Sequence, residues 1–575
     1  MTTPSVSIVI AGSGGAGAIT AGAMLLEAAA RAGWYAFMTR SSGPQIRGGE
    51  AAAMIRISTR PTASHDDTYH ILAAVDWENI GRFAAEMPLS PDSVVLGDPK
   101  AGEVPEPITR SGARQFALPM QDLVKNMPGG RPNMVALGAI AAMIELPEQA
   151  MLDVLHKMIG HKGEEALNAS AAAFRAGMGA ATGFPHVGRL ASDAAEPAQR
   201  WSITGNEAAG MGAIRGGVRF VAAYPITPAT DALEWLAPAL PKVGGTLVQA
   251  EDELASINQI IGASFGGTPS LTATSGPGLA LMMESIGLAV AAEVPIVVVD
   301  VMRGGPSTGI PTKSEQSDLN IALYGVHGDA PHIVLAPTSI SDCLFTTQWA
   351  AHLAETLQTA VIVLSDQQIG QARAVIQRPA EITLVSRRAI QEAAVENVPY
   401  KRYALTGSGV SPMAIPGTPG CQYTADGLEH NEAGTPSSQD ADHRAQMDKR
   451  VNKLNQHDYG EHWADLEGDG DSAVIAWGSS VGPSREALER LARTGQRARL
   501  LAIRLLSPVQ PEKLHRALEG VKRLLVVEQT HSGQFYRYLR AHYDLPSAVR
   551  TLHHPGPLPI RPGDVLNELL NWKRD

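Results

Sequence analysis

Short runs of β-branched and apolar residues alternate with longer stretches of helical spacing through most of this chain. Val6 to Ala11, in "VSIVIAGSGGAG", reads as a buried strand that enters a glycine-rich turn and then an alanine-rich helix ending near Gly33. The same strand–turn–helix unit returns as "TLVQA", as "SLTATSGPG" and as "VPIVVVDV" leading into the loop "MRGGPSTGIPT". It appears once more near the C-terminus in "SAVIAWGSSVGPSREALERLARTG". Continuous β-branched strands separated by helices predict mostly parallel sheets covered on both faces, an α/β architecture. Polar sequence breaks the rhythm twice. "SDAAEPAQ", from Ser192, has the composition of a linker, and the stretch from about Ser386 to Asp471 is rich in Gly, Pro, Asn and charge. The expected organisation is therefore a domain over 1–195, a second over 196–385, a polar connector over 386–470 and a last domain over 471–575. Within the connector, a helix is expected near Met447 to Leu454.

One loop stands out against this pattern. In "AYPITPATD", Pro225 and Pro228 exclude a helix interior and a central strand, because neither can donate a backbone hydrogen bond. What remains is a rigid, extended loop that holds Tyr224, Thr227, Thr230 and Asp231 in fixed directions. Downstream, in "QAEDELASINQIIGA", Leu254, Ile257 and Ile261 recur at helical spacing. The acids Glu251, Asp252 and Glu253 consequently sit at a helix start just after a strand, where they also complement the helix dipole. Arg303 follows the continuous apolar strand, so it emerges at the carboxyl end of a parallel strand, where open α/β sheets bind ligands.

The N-terminal turn "GSGGAG" places Gly12, Gly14 and Gly17 at the GxGxxG spacing between a strand and a helix. A dinucleotide site also needs an acid about 20 residues further on, to hold the ribose. Here that place reads "WYAFMTRSS", without a carboxylate, and Arg40 suggests at most a 2′-phosphate. The turn is read as one that contacts an anion or phosphate, with NAD(P) binding as the alternative.

Length and charge narrow the setting. A chain of 575 residues exceeds one core and should divide into about three or four domains. A net charge of −11 argues against general nucleic-acid binding, which needs a basic footprint. Cys343 and Cys421 are the only cysteines, too few for a disulfide framework, a four-thiolate cluster or a zinc site, so no metal site is expected within the chain. No signal-peptide layout and no apolar run of the ~18 to 20 residues of a membrane span occurs, which gives a cytoplasmic expectation.

Taken together, "YPITPATD", "AEDELASINQIIGAS", "TATSGPGLALMMESIG" and "VDVMRGGPSTGIPT" resemble the α subunit of the 2-oxoacid:ferredoxin oxidoreductases. "GSGGAGAITAGAMLLEAA" and "SSGPQIRGGEA" resemble that family's γ subunit, fused in front, and "GLEHNEAGTP" and "WGSSVGPSREAL" extend the likeness over essentially the whole chain. Ala229 departs from the family pattern, which more often has Ser after the second proline. The resemblance implies a γ-like Rossmann-type domain, a thiamine pyrimidine-binding domain and a transketolase C-terminal-like domain. It implies thiamine diphosphate chemistry: oxidative decarboxylation of a 2-oxoacid with coenzyme A to an acyl-CoA, electrons passing to ferredoxin, and the reverse reaction. The γ–α fusion and "GGPSTGIPT" resemble the branch that uses 2-oxoglutarate and yields succinyl-CoA; pyruvate, branched-chain 2-oxoacids and indolepyruvate are the alternatives within the class. Outside it, the alternatives are an NAD(P)-binding enzyme and a non-catalytic scaffold.

Site residues follow from the same likeness. Glu253, the last acid of "EDE", is implied to press on the cofactor's pyrimidine ring and promote loss of its C2 proton, with Tyr224, Pro225, Ile226, Gly276 and Pro277 as further cofactor contacts. Thr227 is implied to donate from a fixed position to the oxyanion formed on attack. The planar fork of Arg303 suits a bidentate grip on the substrate 1-carboxylate, and Ser307, Thr308 and Thr312 face a second polar group of the substrate. Gly12, Gly14, Gly15, Gly17 and Arg47 are candidate contacts for coenzyme A phosphates. The tripeptide Gly468 to Gly470 has the Gly-Asp-Gly form of a diphosphate–Mg²⁺ loop but lies before a strand, with no asparagine after it until Asn567. Mg²⁺, the diphosphate grip and a [4Fe-4S] cluster are therefore expected on a separate β subunit, in an α2β2 complex that works with ferredoxin.

Overall fold

The computed structural model describes residues 2–43, 49–190, 200–384 and 387–572. The linker-like "SDAAEPAQ" and Arg47 lie outside them. The chain folds as two units: Met1–Thr204 with Gln371–Ala380 and Leu558–Asp564, and Gly205–Gly370 with Glu381–Pro557 and Val565–Asp575.

In the first unit, strand β1 (Ser5–Ser13) lies inside an eight-stranded sheet. It runs parallel to Ile71–Ala74 on one side and antiparallel to Glu50–Ser58 on the other. Helix α1 (Ala18–Arg31) follows the glycine-rich turn and buries Ala21, Met24, Leu25 and Ala28. Half of its buried residues are alanine, and small side chains let a helix approach closely. A strand from far along the chain, Arg373–Gln377, pairs antiparallel with both Tyr35–Ser42 and Arg200–Thr204 in the same sheet.

The second unit carries the repeated strand–helix units. In chain order they are β2 (Phe220–Ala223), α2 (Thr230–Ala239), β3 (Thr246–Gln249), α3 (Glu253–Phe265), β4 (Ser270–Thr274), α4 (Gly276–Ala291) and β5 (Ile296–Met302). After them come α5 (Leu319–Tyr324), β6 (Ile333–Leu335) and β7 (Ala360–Asp366), and much later β8 (Leu505–Ser507). The sheet order is β3-β2-β4-β5-β7-β6-β8, with all pairings parallel except β6 with β8. Every residue of β5 and β7 is buried, as a parallel strand covered by helices on both faces requires. A second, five-stranded sheet holds the C-terminal strand–helix repeat, with Ser472–Trp477 between Arg499–Ile503 and Arg523–Glu528.

The helix after "EDE" begins where the sequence places it, but its buried face is shifted. Ile257 and Ile260 are buried with Ser256 and Ser264, whereas Leu254 is 49% exposed and Ile261 half-buried. The helix lies on the sheet through a stripe of mixed polarity, so the apolar spacing alone misjudges its inward face.

The polar stretch is ordered by buried charge. Helix α6 (Asp440–Asn455) begins well before Met447 and buries Gln446, Lys449, Arg450, Lys453 and Leu454. Lys449 and Lys453 donate to the two carboxylate oxygens of Glu293 at 2.6 and 2.9 Å. Arg402 donates to the Glu293 carbonyl at 2.8 Å, and Arg450 pairs with Glu429 at 2.6 Å. Burial opposes ionisation of Glu293, but Lys453, Lys449 and Arg402 outweigh it and hold its carboxyl well below the usual range. Gly468 and Gly470 take left-handed φ of 73 and 133°, and Asp469 is paired with Arg497 at 2.9 Å. Among the described residues, no helix is long and apolar enough to cross a membrane.

Glu293 pairs with two buried lysines, so its removal leaves both without their carboxylate. Glu293→Gln is expected to cost about 3–5 kcal/mol of stability in urea unfolding. Protease sensitivity should appear first between residues 400 and 455.

Candidate active site

Four adjacent strands of the seven-stranded sheet end side by side, and each delivers one part of the site. The order β3-β2-β4-β5 brings together the carboxyl ends that lead to Glu253, to the Tyr224–Ala229 loop, to Gly276 and Pro277, and to Arg303. Neighbouring strands lie about 4.8 Å apart, so residues far apart in sequence share one edge here. Ala250 N–H donates to the Ala223 carbonyl at 3.0 Å, which continues the β2–β3 pairing to the point where the two loops diverge.

The two-proline loop is held from beneath. Asn206 Nδ2 donates to the Pro228 carbonyl at 2.9 Å, and Pro228 and Ala229 are buried. Tyr224 and Thr227 are exposed and Pro225 and Ile226 half-buried, so the loop presents its tip. Arg303 reaches across from the end of β5 and donates through Nη1 to the Thr227 carbonyl at 2.5 Å. Only 7% of Arg303 is exposed, and its Nε is buried without a partner. A guanidinium whose Nη1 is engaged while Nε is free keeps its Nε–Nη2 edge for a carboxylate, the side-on bidentate geometry.

Glu253 is the first residue of α3, behind the cap Asp252, whose carboxylate accepts from Ala255 N–H at 2.7 Å. Its side chain is 8% exposed and lies against the first turn of α4. A Cβ added at Gly278 would sit 2.7 Å from Glu253 Cγ and 2.8 Å from its Oε1, and would collide with Thr274 Oγ1. The missing side chain at 278 thus makes room for the carboxylate. An aminopyrimidine ring needs an acceptor on one ring nitrogen and open space beside it. Glu253 with Gly278 fits that need.

Behind Arg303 stand two acids that sequence reading did not single out. Asp300, within β5, is wholly buried, and neither of its carboxyl oxygens has a hydrogen-bond partner. Asp318, just before α5, also buries an unpartnered Oδ2. Burial, followed by the charge of Asp318, pushes the Asp300 carboxyl well above its ordinary range. Burial likewise raises Asp318, to about 6. The signal for Asp300 was present in the sequence: a single acid inside the apolar run "VPIVVVDV" has to be buried with its polar atoms.

Other expected contacts lie further out. Ser307 and Thr308 are exposed on the loop after Arg303, and Thr312 is half-buried where that loop returns. The loop is closed on itself by Gly304 N–H to Lys313 carbonyl at 2.9 Å and Ile310 N–H to Gly304 carbonyl at 2.8 Å. In the N-terminal unit, the turn carrying Gly12, Gly14, Gly15 and Gly17 is met by Asp76, which accepts from Ser13 N–H at 3.0 Å and Ser13 Oγ at 2.8 Å. Any anion at this turn would face that carboxylate. Arg47 is outside the described residues. Among them, no group of His, Cys, Asp and Glu is arranged to hold a metal ion.

Comparison with known proteins decides the family. Residues 211–450 match the family described as pyruvate flavodoxin/ferredoxin oxidoreductase, thiamine diphosphate-binding, and residues 7–180 match pyruvate ferredoxin/flavodoxin oxidoreductase. The α subunit of 2-oxoacid:ferredoxin oxidoreductase 2 from Aeropyrum pernix is 30% identical over 93% of both chains. The chain belongs to the 2-oxoacid:ferredoxin oxidoreductases. Within them it is an α-subunit chain with a thiamine diphosphate-binding domain. The 2-oxoglutarate synthase subunit KorA of Methanothermobacter marburgensis is 36% identical over 65% of this oxidoreductase chain and all of its own length. A solved structure of the 2-oxoglutarate:ferredoxin oxidoreductase from Magnetococcus marinus, with 2-oxoglutarate, coenzyme A and succinyl-CoA bound, superposes with a TM-score of 0.90 at 37% identity, covering 99% of each chain.

The contact between Glu253 and Gly278 can be tested within this oxidoreductase chain. Gly278→Ala should lower turnover by about tenfold or more, because the new methyl group displaces the carboxylate. Gly262→Ala, on the same helix as Glu253 but with nothing within 4 Å of the added Cβ, should leave turnover unchanged. Equal effects in steady-state assays would contradict the packing described.

Proposed function

We propose that this chain supplies the substrate-binding half of a 2-oxoacid oxidative decarboxylase, with 2-oxoglutarate as substrate, coenzyme A as acyl acceptor and ferredoxin as electron acceptor. In this reaction the bond between the carboxylate carbon and the 2-oxo carbon breaks. Carbon dioxide leaves, the acyl group joins the coenzyme A sulfur in place of the thiol proton, which is released, and the two electrons pass one at a time to ferredoxin. The observation that carries the reading is the hydrogen bond from Arg303 to the Thr227 carbonyl, which ties the carboxylate-binding cation to the two-proline loop.

Each residue then has a task set by its position. Arg303 grips the substrate 1-carboxylate through its Nε–Nη2 edge, a pairing that fixes direction as well as position. The Thr227 hydroxyl, exposed on a loop that needs no reorganisation, donates to the developing oxyanion on the 2-oxo carbon. Glu253 keeps a proton at the pyrimidine nitrogen, with Tyr224, Pro225, Ile226, Gly276 and Pro277 lining the ring's approach. Thiamine diphosphate supplies the nucleophilic carbon when bound. Ser307, Thr308 and Thr312 stand beyond Arg303, where a distal carboxylate would extend. The 2-oxoglutarate assignment draws support from that loop and from the relatives named for 2-oxoglutarate.

A second subunit completes the site in this reading. Two cysteines cannot supply four thiolates, and both are buried and separate. The sole Gly-Asp-Gly tripeptide lies just before a strand, with its Asp paired to Arg497. Diphosphate, Mg²⁺ and the iron–sulfur cluster therefore fall to the β subunit, with the reaction at the interface of an α2β2 complex.

Three outcomes are expected. Glu253→Gln should leave the complex assembled and lower turnover by at least ~100-fold in a decarboxylation assay. Arg303→Lys keeps the charge but loses the fork, and should raise KM for the 2-oxoacid about tenfold. The chain expressed alone with thiamine diphosphate and Mg²⁺ should show no turnover. Activity without a second polypeptide would overturn the two-subunit reading, and an unchanged KM would remove Arg303 as the carboxylate clamp.

A further inference from the structure

Asp300 and Asp318 have no task in the chemistry outlined above, yet their placement is costly. Asp300 is the fifth residue of a strand in which every other side chain is apolar and buried. Its two oxygens find no donor, and Oδ2 of Asp318 and Oγ of Ser317 nearby are also buried without partners. On the other side Arg303 buries an unpartnered Nε. Asp318 lies against the first residue of α4, where a Cβ at Gly276 would be 2.6–2.7 Å from its carboxylate oxygens.

Two carboxylates facing each other are both acceptors, with nothing to donate between them. Their contact becomes a hydrogen bond only when one carries a proton, and two buried like charges resist joint ionisation. The proton belongs on Asp300, which is wholly enclosed. The charge belongs on Asp318, which sits at the positive end of α4. Other ionisable groups facing the pair are Arg303, whose charge favours the ionised forms, and Glu315, whose charge further raises Asp318. Glu315 itself accepts from Gly556 N–H at 3.2 Å and is raised by burial.

We propose that Asp300 and Asp318 are positioning residues that share one proton, and that the single negative charge left on the pair sets the orientation and effective charge of Arg303 at the substrate carboxylate. The proposal rests on Arg303 being the carboxylate clamp. With the pair singly charged, the guanidinium is drawn back toward β5 while Nη1 holds the Thr227 carbonyl, so its free edge keeps one direction. A second proton removes that restraint.

The test uses the assembled complex. KM and kcat for the 2-oxoacid are measured against pH for the natural protein, Asp300→Asn and Asp318→Asn, and the infrared difference spectrum of Asp300→Asn is taken at neutral pH. In the natural protein, KM should rise as pH falls through about 6, where Asp318 takes up its proton, while kcat changes little. Asp318→Asn should raise KM about tenfold at neutral pH and abolish that acid limb. Asp300→Asn keeps a donor toward Asp318, and its difference spectrum should show the loss of one protonated carboxyl. No carboxyl signal lost in Asp300→Asn, or an unchanged KM and pH profile in Asp318→Asn, overturns the proposal. If Asp318→Asn does not assemble, the infrared result decides alone. Silent aspartate variants beside an impaired Arg303→Lys sink the pair but not the clamp, whereas an unimpaired Arg303→Lys sinks the clamp itself.

Discussion

Parallel pairing of β3, β2, β4 and β5 is the constraint from which the site follows. A parallel sheet with helices on both faces has all its strand ends of one kind along a single edge, and the backbone groups at those ends are free to meet a ligand. Because β2 lies between β3 and β4 rather than beside β5, the two-proline loop sits between the strand that leads to Glu253 and the strand that leads to Gly276. Arg303 closes the row from β5 and binds the loop through the Thr227 carbonyl. Loss of the register between any of these strands would separate the carboxylate, the hydroxyl and the guanidinium at once.

Charge burial does in the polar stretch what apolar packing does in the sheets. Glu293, Lys449 and Lys453 lie almost wholly out of water, and Arg402 is fully buried beside them. Such a cluster adds little net stability compared with an apolar replacement, but it tolerates no missing partner. It also sits at the end of α4 opposite to Gly276, so the long irregular segment is tied to the same helix that begins at the site.

Much of this was legible in the sequence, and the exceptions share a cause. β-Branched runs bounded by glycine and proline marked β1, β4 and β5, since a strand buried on both faces leaves no polar alternation to confuse with a helix. The position of Arg303 at a strand end followed directly. Pairs that meet only in the folded chain were hidden: Glu253 meets Gly278 because β3 and β4 flank β2, and Asp318 meets Asp300 because the loop after β5 turns back on it. The inward face of α3 was misjudged because Ser256 and Ser264 share it with Ile257 and Ile260. Helix α6 escaped full recognition because its buried side is made of lysine, arginine and glutamine, whose partner Glu293 lies far away in sequence.

The central claim is that Arg303 and Thr227 meet the 2-oxoacid at the carboxyl edge of this sheet while Glu253 meets the cofactor's pyrimidine ring beside it. It is tested most directly by an experimental structure of the assembled complex with thiamine diphosphate and a bound 2-oxoacid. The substrate carboxylate should lie about 2.7–2.9 Å from two nitrogens of Arg303, with the Thr227 hydroxyl on the 2-oxo group and Glu253 on the pyrimidine ring. A substrate carboxylate bound elsewhere, with Arg303 still joined only to the loop, would contradict it.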